Sequence, residues 1–206
     1  MKMNLFKAFE AFKEAKKEKN IGKSSGILLL DSVLLGIAIF LLVRQLKALG
    51  SLSNLSESIK FLGALTTAAA WVSALSLFVL TLIAGFFLAF LLMLIMKVLG
   101  YKTDYFSGLT VIAYSLFPLS FGIFVGAILN YIPVIGTLLN FFVISGFVVV
   151  AGATLFKGTK EMFNSDYIAA LIAFLVLWLA FTVTTYVFIV QAIAGLGRIA
   201  SLFPLT

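Results

Sequence analysis

The sequence predicts an all-α fold: a polytopic transmembrane helix bundle of five spans, N-terminus cytoplasmic and C-terminus outside, preceded by an amphipathic N-terminal helix. Three observations carry that prediction. Of the 206 residues, 63% are hydrophobic and 11% charged, against about 45–50% and about 25% in soluble domains. Several stretches with one charge or none are long enough to cross hydrocarbon, which takes about 20 residues. Lysine and arginine, finally, separate to one side of the membrane when the chain crosses it five times.

Residues 1–23 are expected to form a cytoplasmic, basic, amphipathic helix, centred on 3–19. Leu5, Phe9 and Phe12 fall at helical spacing beside Phe6, while Lys7, Lys13, Lys16, Lys17 and Lys19 share the other arc with Glu10, Glu14 and Glu18. The expectation is a helix lying on the inner leaflet, Phe side down, its lysines toward anionic headgroups. The net charge of +7 follows mostly from positive-inside topology, and the interleaved glutamates argue against a nucleic-acid partner.

The bundle is assigned to residues 24–200. Span one covers about 24–43 and reads as a retained signal anchor, because its basic leader is long and no small-residue cleavage site follows cleanly. Residues 61–96 carry no charge, Pro, Asn or Asp. One span at 70–96 is preferred there, with 44–69 as an outer loop or interfacial segment. The uncharged run from Tyr105 to Phe156 would make a helix of about 78 Å, too long for one crossing. Asn130-Tyr131-Ile132-Pro133-Val134-Ile135-Gly136 breaks it into spans at 106–129 and 135–157 joined by a short hairpin. The last span is placed at 167–192. Thr103-Asp104 and Ser165-Asp166 supply N-caps for spans three and five, in preference to serving as acidic ligands.

Charge decides the count. Residues 1–23 hold seven of the 15 lysines and arginines; Lys97, Lys102, Lys157 and Lys160 join them on the inner side. Arg44, Lys47, Lys60 and Arg198 fall outside. Six crossings would scatter the same charges almost evenly, so five fits the positive-inside rule better. Asn54-Leu55-Ser56 is a weak glycosylation sequon on the outer side.

Chemistry is sparse. With no Cys and no His, thiolate chemistry, imidazole-based dyads and Cys/His metal sites drop out, and no phosphate-binding loop is present. The expectation is a non-enzymatic protein without metal or cofactor. Asp31 stands out, since a carboxylate about 10 Å inside a span is a functional candidate by default. Its possible partners are Tyr114, Ser115, Asn140 and Gln191, and the plainer reading is a helix-contact residue facing the bundle. Asn130 and Asn140 are the other intramembrane polar candidates. Gly122 and Gly126 form a G-x-x-x-G, and Gly146 and Gly152 give span four small faces, all suited to close helix packing or to a homo-oligomer.

Ala113-Tyr114-Ser115-Leu116-Phe117-Pro118 resembles the Gly-Tyr-x-x-x-Pro signature of the Yip (Ypt-interacting protein) domain family, with Ala113 where the family has Gly. The short basic loop before this span and the Ile-Pro-Val-Ile-Gly hairpin after it fit the same pattern, over about residues 24–195. The resemblance implies five spans, an N-terminus in the cytoplasm and a role in membrane organisation, membrane shaping and trafficking, or recruitment of a membrane-protein partner. The brief N-terminal segment points to a prokaryotic-type member, hence to the cell membrane. Tyr114 and Pro118 carry the motif, and Pro118 is expected to kink its helix. The alternative function is a small transporter or channel using Asp31 with Asn130, Asn140 and Tyr114.

Overall fold

The computed structural model describes residues 8–18, 20–50, 58–132 and 135–180, and these are helical with short connections. The helices are α1 (Ala8–Glu18), α2 (Ile21–Gly50), α3 (Ser58–Val98), α4 (Tyr105–Leu129) and α5 (Ile135–Phe163), followed by α6 over Tyr167–Ala180. Four of them, α2 to α5, are long and apolar enough to cross a membrane. The fifth span expected at 167–192 overlaps α6, which as described is a shorter apolar helix, and residues 181–192 lie outside the described residues.

Local chemistry sets most of the boundaries. Asn20 caps α2, its Oδ1 accepting from the Lys23 amide at 3.1 Å. Asp104 and Asp166 are caps as well: Asp104 Oδ1 accepts from the Ser107 amide at 2.6 Å, and Asp166 Oδ1 from the Ala169 amide at 2.7 Å. Helices α3 and α5 stop in the same way. Gly100 (φ 87°) and Asn164 (φ 50°) adopt the left-handed conformation, letting the Tyr101 amide reach the Met96 carbonyl and the Ser165 amide reach the Lys160 carbonyl. The hairpin after α4 closes through the Gly136 amide on the Ile132 carbonyl. A side chain at Gly136 would collide with the Leu129 carbonyl, so the turn requires glycine.

One expectation changes in detail. Helix α3 covers Ser58–Val98, so part of the stretch read as outer loop or interfacial segment is continuous with the span. No proline, asparagine or aspartate lies between Ser58 and Val98 to stop it. Helix α4 runs unbroken through Pro118, which sits buried inside it.

Helix α4 is the hub, in contact with α1, α2, α3 and α5. Half of its crossing stretch is buried, compared with 11% of that of α5. Small residues set the closest approaches. A side chain at Gly108 of α4 would run into the Ala89 carbonyl of α3, and one at Gly85 of α3 would meet Leu28 of α2. Such contacts bring backbones together where lipid offers no hydrophobic drive. Hydroxyls are kept quiet within their own helices: Ser32, Thr81, Ser115, Ser120, Thr154 and Thr159 each donate to the carbonyl four residues back.

Candidate functional site

The end of the bundle bearing α1 holds the best-built cluster. Phe12 of α1 is fully buried, its ring 5.4 Å from that of Tyr114 on α4. On α5 the matching position is Gly158, where an added Cβ would come within 2.6 Å of Phe12 Cζ. Glycine there opens the notch that the phenyl ring fills. One turn along α1, Lys16 donates to the Glu161 carbonyl and, at 2.7 Å, to Asn164 Oδ1. A cation on the carbonyl end of α5 also suits its dipole. Lys13, Glu14, Lys17 and Glu18 remain exposed.

The Phe side of α1 therefore faces protein at Phe12, where the sequence suggested lipid. Periodicity identifies an apolar face but not what covers it. The one available signal was Gly158, a notch at the end of a span. Leu5 and Phe6 lie outside the described residues.

Tyr114 thus belongs to the α1 socket. Pro118, four residues on, has no amide hydrogen, so it withdraws the helical donor from the Tyr114 carbonyl. The α3–α4 and α5–α6 connections meet nearby, with the Asp166 amide donating to Tyr101 Oη at 3.5 Å. Lys160 lies over the Tyr167 ring, 3.3 Å from its centroid.

Asp31 is fully buried. Among the described residues neither of its carboxylate oxygens has a hydrogen-bond partner. Tyr114 and Ser115 are not partners, and Gln191 lies outside the described residues. One turn closer to α1 than Leu28, Ser24 on the same face of α2 does find one, Thr110 of α4, at 2.9 Å. Asn140 Nδ2 donates to Asn130 Oδ1 at 3.0 Å, while Asn140 Oδ1 is buried and unpartnered. This pair and Asp31 are far apart. Gln45 of α2 donates to the Ala127 carbonyl, near the Asn130 end of α4, and Asp31 lies 14 residues earlier on α2, about 21 Å along the axis.

The packing glycines divide. Gly122 fits against Phe147, Gly126 against Asn140, and Gly152 against Phe174. Gly146 meets open space, so it packs against nothing within the described chain. The close crossings at Gly85 and Gly108 were not singled out in the sequence, although Gly85 and Ala89 have the small-x-x-x-small spacing.

A cavity of about 370 Å³ lies between α3, α4, α5 and α6, and its lining, from Leu88 to Trp178, is apolar but for Ser115. Among the described residues no group of acidic side chains is placed to hold a metal ion. The chain matches no protein-family model, no curated protein and no solved structure.

Proposed function

We propose that this is a five-span, non-enzymatic membrane protein of Yip type, N-terminus cytoplasmic, that organises membranes or recruits a membrane partner through its α1 end. The observation that carries the reading is the seating of α1. Phe12 in its notch and Lys16 on the end of α5 hold the helix in one place. Its charged side then forms a fixed surface beside the inner connections, where Lys97, Lys102 and Lys160 also lie. That clustering supports placing this end in the cytoplasm. Homo-oligomers and anionic lipid remain part of the proposal, Gly146 offering a small face for a second copy.

The transporter alternative needs Asp31, Asn130, Asn140 and Tyr114 on one path. The asparagines pair with each other near the end of α4 that Gln45 reaches, Asp31 lies about 21 Å back along α2 from Gln45, and Tyr114 packs on Phe12. This separation favours the non-transporting reading.

The absence of cysteine makes the test direct. Single-cysteine variants Lys102→Cys, Asn54→Cys and Thr206→Cys are expected to react with an impermeant thiol reagent from the inside, the outside and the outside, respectively. Liposomes holding the protein are expected to change shape without passing protons or small ions. Asp31-dependent flux would overturn the reading in favour of transport.

A further inference from the structure

A second concavity lies at the opposite end of the bundle from α1, between α2 and α3. It is a groove of about 480 Å³ running from Val33 to Leu41 on α2 and from Trp71 to Phe78 on α3, with apolar walls. Its length along α2 is about 12 Å. Gly36 forms its floor, close enough that an added Cβ would lie 3.2 Å from the Ala74 carbonyl. Trp71 and Leu75 are about two-thirds exposed on its rim, so the groove opens sideways, toward whatever surrounds the bundle.

Its mouth is chemically different from its walls. Phe40 and Trp71 pack at 4.7 Å between centroids, and the Arg44 guanidinium sits over the Phe40 ring, 5.8 Å from its centroid. Arg44 is exposed and lies one residue before the end of the candidate span Ile21–Gln45. Aromatic rings at that level suit the headgroup region, and a guanidinium offers paired donors matched to a phosphate. An apolar slot about 12 Å long with one cation at its outer mouth has the layout of a phospholipid: phosphate first, acyl chain behind.

The geometry points to the α2/α3 groove as a binding site for one anionic phospholipid, its phosphate on Arg44 and an acyl chain laid past Trp71 and Gly36. The charge at the mouth selects the lipid, and Gly36, by letting the Ala74 backbone of α3 come close, closes the floor of the slot. This site is separate from the α1 end and does not depend on the function proposed above.

Trp71 reports on the groove directly. With Trp178→Phe as background, Trp71 is the sole tryptophan, and its fluorescence is read in phosphatidylcholine vesicles containing a minor fraction of acyl-brominated lipid. Brominated phosphatidylglycerol is expected to occupy the groove about five-fold more readily than brominated phosphatidylcholine, the worth of one cation beside an anionic headgroup. Arg44→Gln is expected to abolish that preference and Arg44→Lys to retain most of it, with helical content and elution volume unchanged. Val33→Phe, which fills the slot, is expected to weaken quenching by both lipids. Equal quenching by the two lipids would mean ordinary boundary lipid and overturn the proposal. So would a Trp71 shielded from both, which would place a second copy of the chain on the groove. If Arg44→Gln fails to fold, the headgroup contrast in the Trp178→Phe background still decides.

Discussion

The two ends of this bundle are closed by different means. At the α1 end, separate segments interlock: Phe12 in the Gly158 notch, Lys16 on Asn164, the Asp166 amide on Tyr101. At the other end, the contacts among the described residues are Asn140 on Asn130 and Gln45 on the Ala127 carbonyl. Between them lies a helical interior whose hydroxyls mostly bond within their own helices. Definite geometry in this molecule is concentrated where the helices stop. That is also where water returns and polar contacts can discriminate between arrangements.

The largest test of this contrast removes the interlock. Phe12→Ala empties a fully buried aromatic site and is expected to destabilise the α1 end by about 3–5 kcal/mol. The measurement is protease sensitivity of residues 8–20 alongside the melting temperature in detergent. Early cleavage with α2 to α5 still folded is the expected result, and an uncleaved α1 would show that Phe12 does not hold it. Gly158→Leu is expected to do the same from the socket side.

A smaller effect of opposite sign is expected in the interior. Asp31 is buried without a partner among the described residues, so Asp31→Leu removes an unsatisfied polar group and is expected to stabilise by about 1–3 kcal/mol. Thermal unfolding checks it. A fall in melting temperature would mean that the carboxylate is bonded in the membrane. The smallest expected changes are at the caps. Asp104→Ala and Asp166→Ala are each expected to cost about 1 kcal/mol, adding in the double variant because the two sites cap different helices.

What could be read in advance followed the same division. The caps at Asp104 and Asp166 and the hairpin from Asn130 to Gly136 were legible because each depends on residues within one turn. The helical stretch from Ser58 to the expected span at 70 was not, since a run without breakers carries no mark that separates a span from the helix leading into it. Asn130 and Asn140 were visible as polar candidates, but chain position does not reveal depth, and their bond to each other rather than to Asp31 had no signal in the sequence. The seat of Phe12 was hidden for a related reason. An apolar face has the same spacing whether lipid or protein covers it, and its socket is built from α4 and α5, far along the chain.

That distance has a consequence for assembly. Lys16 and its acceptor on Glu161 are 145 residues apart, so the ribosome must work for roughly 7–30 s after making α1 before its berth exists, at about 5–20 residues per second. Throughout that interval the phenyl ring of Phe12 has no complete socket, because Gly158 has yet to be made.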